Sequence, residues 1–138
     1  MPEDHSKPQV LMLGTGERVS LKGEENIWIT IIMGFRVQEA SGELGRWKVK
    51  TTSYYYYIGN GSGELVGYHW HAETTPHIWF PHIHVRGKFK DVHLPTGRIS
   101  IEEVLRLAIN DFKVKATSDW EKVLLDNQRR FEKYRAWD

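Results

Sequence analysis

Between residues 27 and 37 the odd positions read Ile27, Ile29, Ile31, Met33, Phe35 and Val37, while the even ones include Thr30, Gly34 and Arg36. Alternation with a period of two predicts a strand with one buried face. A second extended run, residues 47–58, is rich in β-branched and aromatic residues, which suit a pleated, half-buried surface. It ends in Gly59-Asn60-Gly61-Ser62-Gly63, a turn composition, so residues 64–72 are expected to return antiparallel to it. Upstream, residues 10–13 and 19–21 flank Gly14-Thr15-Gly16 and predict a small hairpin. The unpaired edge of residues 27–37 then offers a place for a second copy, and a homodimer is expected on that ground.

The C-terminal third changes period. Ser100-Ile101-Glu102-Glu103 fits the S-x-x-E capping box, and Ile101, Val104, Leu105, Ala108 and Phe112 follow at helical spacing. A second box, Ser118-Asp119-Trp120-Glu121, predicts a helix with Trp120, Val123, Leu124, Asn127 and Phe131 on one stripe. Strands first and helices last predict an α+β fold: an antiparallel β-sheet, a meander, packed on one face by two C-terminal α-helices. A chain of 138 residues suits a single domain over its whole length, with residues 1–8, which hold two prolines, as a flexible tail.

Composition narrows the chemistry. A 40% hydrophobic content supports a packed interior, and 27% charged residues is ordinary for a solvated surface, so neither disorder nor a membrane partner is expected. Without an apolar segment near the N-terminus a secretory leader is not expected, and the cytoplasm is the default compartment. A net charge of +1 argues against bulk electrostatic binding of nucleic acid. Cysteine is absent, so disulfides and thiolate ligands are excluded and any zinc must be held by histidine and carboxylate.

Six of the seven histidines fall between residues 69 and 93. Four form H-x-H pairs, His69/His71 in Y-H-W-H-A-E and His82/His84 in F-P-H-I-H-V, with His77 between them and His93 after. Residues two apart on a strand share a face, so each pair presents two imidazoles side by side. By parity Tyr68 and Trp70 face the core, and His69, His71 and Glu73 line the other face. His82, His84, Arg86, Lys88 and Lys90 share one parity and form a line if Gly87 does not bulge the strand. The segment 74–81 is long enough to bring the two H-x-H strands together.

Three chemistries fit. His69, His71, His82 and His84 are candidate ligands for a divalent metal such as zinc, with Glu73 or His77 as an added ligand or base. Metal-free RNA cleavage is the second: one histidine takes the 2′-hydroxyl proton, another protonates the leaving oxygen, and cations stabilise the phosphate. The catalytic candidates are His82, His84 and His69, and the substrate contacts Arg86, Lys88 and Tyr68. The third is binding alone, with histidine, arginine and the tyrosines 54–57 stacking on bases or on a protein. Against all three stands plain scaffolding: strand histidines hydrogen-bonded to backbone, and a basic line that only blunts a sheet edge.

The elements Y-Y-Y-Y, Y-H-W-H, P-H and F-P-H-I-H-V, followed by L-P and I-E-E-V-L, resemble the TumE family, small proteins regarded as toxins of bacterial toxin–antitoxin pairs. The resemblance spans residues 54–105, with Tyr68, His69 and Trp70 matching one family element, Pro76 and His77 a second, and Pro81, His82 and His84 a third. The chain departs from the pattern where His77 lacks a second histidine after it, where Ile83 stands inside the third element, and where His71 replaces a polar residue. The resemblance implies a toxin-like protein acting on RNA and held inactive by a separately encoded helix-turn-helix antitoxin. A cupin metal site also has paired histidines, but the glutamate of H-W-H-A-E comes too soon for that spacing.

Overall fold

The computed structural model describes residues 7–39, 47–71, 78–87 and 91–135. Seven strands, β1 (Gln9–Met12), β2 (Val19–Ser20), β3 (Trp28–Glu39), β4 (Trp47–Asn60), β5 (Gly63–His71), β6 (His82–Val85) and β7 (Leu94–Pro95), precede two helices, α1 (Ile101–Asn110) and α2 (Trp120–Tyr134). The strands form one antiparallel sheet in the order β1-β3-β4-β5-β6-β7, with β2 also on β3. This is the expected α+β architecture, with the helices covering one face.

That face is the one the alternation marks. Ile27, Ile29, Ile31 and Met33 of the β3 region meet Tyr54, Tyr56 and Ile58 of β4, Trp70 of β5, and Val104 and Ala108 of α1 in a single buried cluster. The four consecutive tyrosines split by parity: Tyr54 and Tyr56 are buried and stacked at 4.6 Å, while Tyr55 and Tyr57 point to the opposite face. The Tyr54 hydroxyl accepts a hydrogen bond from the backbone N–H of Ile99 (3.1 Å), and the Arg98 guanidinium lies 4.0 Å over the Trp70 ring. These two contacts pin the chain to the sheet just before α1 begins.

At α1 the capping box forms as expected, with Glu103 N–H donating to Ser100 Oγ and Ser100 N–H to the Glu103 carboxylate. Ser100→Ala is therefore expected to cost about 1 kcal/mol in urea unfolding, the usual worth of a side-chain N-cap; an unchanged midpoint would show the cap to be redundant. The second box does not form. Asp119, not Ser118, is the N-cap of α2 and makes no side-chain cap bond; the turn is held by Trp120 N–H to Thr117 C=O. On α2 Leu124 is buried, but Val123 and Asn127 face outward, and Gln128 turns inward to accept from Arg106 at 2.6 Å.

The N-terminal hairpin is corrected. β1 and β2 pair end to end along the same edge of β3, and not with each other. Gly14 and Gly16, both at positive φ, turn the chain between them as the composition suggests. A two-stranded hairpin is marginal alone, whereas a 12-residue neighbour supplies hydrogen bonds to both segments, including Leu13 N–H to Ile31 C=O and Leu21 N–H to Ile27 C=O. β1 and β2 thus cover Trp28–Ile29 and Ile32–Phe35 of the β3 edge on which a second copy is expected. Among the described residues no helix is long and apolar enough to cross a membrane.

Candidate functional site

The sheet face turned away from the helices carries the histidines. Two rows run across it in register: Thr30, Tyr57, Gly67 and His84, and beside it Ile32, Tyr55, His69 and His82. Pairing of β5 with β6 brings the H-x-H strands together, His82 directly opposite His69 and His84 one step along, opposite Gly67. The rings converge. Centroids lie 4.5 Å apart for His69 and His84, 5.4 Å for His69 and His82, and 4.9 Å for His82 and His84. One ring nitrogen from each of His69, His82 and His84 falls within 4.8 Å of the other two. His93, arriving ahead of β7, closes the far side, with its ring 4.9 Å from His82 and 4.7 Å from His84.

The three rings are held by different means. His82 is only 2% exposed, and its Nδ1 sits 3.0 Å from the carbonyl oxygen of Phe80. A ring nitrogen facing a carbonyl must carry the proton, which leaves the Nε2 lone pair for another partner. His69 is gripped edge-on by Tyr55 and Tyr57, at 5.3 and 5.0 Å, and its buried Nε2 has no hydrogen-bond partner among the described residues. Such an orphan is costly unless something binds it. Burial pushes the His69 imidazole down to about 4, with His84, His82, His71 and His93 adding repulsion to its charged form. Burial also lowers His82, outweighing the Phe80 hydrogen bond that favours its cation. Both are neutral lone-pair donors at neutral pH. Tyr57 is pushed up to about 12, chiefly by burial and then by the nearby Glu64 carboxylate, so it stays a phenol.

Of the sequence candidates, His69, His82 and His84 come together. His71 shares their face but lies outside the trio, its ring stacked on Tyr55 at 5.5 Å. Tyr68 is not brought to them: it is on the helix-covered face, packed against the core, with the sheet between it and the histidines. Arg86 borders a cleft of about 430 Å³ that also takes in Tyr57, His69, His84 and Asp91. The strand that begins the basic line ends at Val85, and Gly87 adopts φ +99°. Lys88 and Lys90, like Glu73 and His77, lie outside the described residues.

Two residues of this face were not singled out by spacing. His93 follows no strand period, and its presence in the histidine-rich window was its only signal. Unbroken alternation along β5 would put Glu64 on the face of Tyr68 and Trp70, and the structure reverses this. Ile58 pairs with Val66 but Gly59 pairs with Glu64, so Leu65 is an extra residue in β5. The bulge puts Leu65 and Val66 both against the core and turns Glu64 onto the histidine face, where it lines the cleft.

No known protein family, curated protein or solved structure matches the chain.

Proposed function

We propose that His69, His82 and His84 hold a divalent transition metal, zinc in the first instance, at a hydrolytic site. The convergence of three imidazole nitrogens within 4.8 Å carries this reading. Two further features support it: the Phe80 carbonyl fixes the His82 proton on Nδ1 and leaves Nε2 free to ligate, as outer partners of metal-bound histidines do, and a cation at His69 Nε2 would satisfy that orphaned atom. Zinc nitrogens about 2.0–2.1 Å from the ion lie roughly 3.3 Å from one another in a tetrahedron, so the rings would draw together by up to about 1.5 Å on binding. Three protein ligands with a fourth position left open is the pattern of catalytic zinc, which supplies a Lewis acid and an acidified water. The residues around the trio serve the cleft: Tyr57 as a phenolic donor and Arg86 as a contact for an anionic group.

Elemental analysis of tag-free protein tests this reading. About one zinc per chain is expected, lost in the His69→Ala/His84→Ala double variant, together with a zinc-dependent rise in unfolding midpoint for the wild type only. Wild-type protein that holds no metal and gains no stability from zinc would sink it.

The second reading is the toxin-like one: a cytoplasmic ribonuclease controlled by an antitoxin, with His82 and His84 as acid and base and His69 beside them. Arg86 and the Tyr57 phenol on the same cleft as His69 and His84 favour it, since RNA cleavage needs donors and a cation at the phosphate. The two readings separate on one point: RNA cleavage that persists in excess EDTA and disappears in His84→Ala belongs to the metal-free scheme.

A further inference from the structure

The histidines are not the whole of this face. Glu64 reaches it only because of the Leu65 bulge, and bulges beside functional sites commonly re-aim one side chain. Its carboxylate then needs room, which Gly67 provides. A Cβ at Gly67 would come within 2.5 Å of Glu64 Oε1 and within 2.8 and 2.9 Å of the Tyr57 ring carbons. Gly67 is the position directly across from His84, so the carboxylate lies over Gly67 beside the Tyr57 ring, on the cleft that His69 and His84 also line. An irregular strand, a missing side chain and a carboxylate folded into the space so made are three independent local choices with one result. The other charged groups on the cleft are Arg86 and Asp91, and like Glu64 both are exposed.

We infer that Glu64 is the hydrogen-bond and proton acceptor of this cleft, so that a metal held by the histidines accepts groups bringing a neutral N–H or O–H in preference to groups that arrive as anions. The inference rests on the metal reading. A ligand that loses a proton as it binds must deliver it somewhere, and the Glu64 carboxylate is placed to receive it. A ligand already anionic meets like charge instead. The class of substrate this selects is a hydroxyl- or amide-bearing molecule, not a simple carboxylate.

Cobalt(II)-loaded full-length protein tests it, with acetohydroxamic acid and acetate as the two probes and the visible cobalt spectrum as the readout. On binding, acetohydroxamic acid gives its O–H proton to Glu64 while its oxygen takes the metal; acetate has no proton to give. In Glu64→Gln the acetohydroxamate affinity is expected to fall by at least about tenfold, the loss of a charge-assisted hydrogen bond, and the acetate affinity to rise by a factor of a few. Cobalt stoichiometry should not change, Glu64→Asp should keep the wild-type order of the probes, and Asp91→Asn should behave as wild type. A merely structural role would move both affinities in the same direction. Equal effects on both probes, no effect on either, loss of cobalt from Glu64→Gln, or wild-type cobalt protein that binds neither probe would each overturn the inference. Wild-type protein that takes up no cobalt fails one step earlier and removes the metal reading itself.

Discussion

Gly59→Ala is expected to remove about 3 kcal/mol of unfolding free energy, a large fraction of what a domain of this size has to lose. A Cβ there would overlap Cζ2 and Cε2 of the Trp28 ring and stand 2.7 Å from the carbonyl oxygen of Gly63. The indole is tied in place. Its Nε1–H donates to Asn60 C=O at 2.9 Å, the Arg18 guanidinium lies 4.1 Å over its ring, and the residue is 8% exposed. Overpacking of this kind costs about 1–3 kcal/mol, and a displaced indole also forfeits its hydrogen bond, about 1 kcal/mol more. Urea unfolding of Gly59→Ala beside Gly61→Ala makes the comparison fair, because nothing lies within 4 Å of a Cβ at Gly61. The Gly61 variant should stay within about 0.5 kcal/mol of wild type. If Gly59→Ala did the same, Trp28 would have another place to go. Gly59 also pairs with Glu64, so the strain falls on the bulge that turns Glu64 toward the histidines.

What could be read from the residues, and what could not, follows from the range of the interactions involved. The buried face of β3 was legible because alternation is written within one strand, and Tyr54 and Tyr56 followed from the same parity. The α1 cap was legible because Ser100 and Glu103 answer each other within one turn. The α2 box has the same spelling and fails, since Asp119 takes the cap position and its side chain makes no cap bond. β1 and β2 were read as partners because short-range turn chemistry was the only signal available; the competing partner, β3, begins eight residues after β2 ends. Glu64 was misplaced by a single extra residue, which inverts parity without leaving a mark in composition. Likewise Tyr68 sits in the best-matched element of the resemblance, yet its parity commits it to the core. The histidine face itself was legible strand by strand. Its closure into a trio was not, because that depends on β5 and β6 pairing with His69 opposite His82 rather than one residue out of step.

Metal-free protein is expected to lose about 2 kcal/mol of stability as the pH falls from 7.5 to 4, with most of the loss below about 6.5. The sign follows from His69. Its imidazole is lowered to about 4 in the folded state, by burial first and by His84 and His82 next, whereas in the unfolded chain it titrates near 6.5. Between those values the unfolded chain binds a proton that the folded chain refuses. Acid therefore draws the equilibrium toward unfolding, and the contribution is fully present only above the unfolded value. A sealed site would give about 3 kcal/mol; His69 is partly exposed, and solvent screening brings this to about 2. His82 is lowered too and acts in the same direction. The measurement is a set of urea midpoints for EDTA-treated wild type and His69→Gln at pH 7.5, 6.0 and 5.0. The variant should show a shallower slope, since its amide does not titrate. Parallel slopes for the two proteins would mean that the acid sensitivity lies in groups other than His69. Saturating zinc should steepen the wild-type dependence, because each ligand nitrogen must shed its proton to bind, and the added stability should be present at pH 7.5 and largely gone by pH 5. A pH dependence that zinc leaves untouched would separate the histidine cluster from metal binding and leave its neutral imidazoles to acid–base work or to scaffolding.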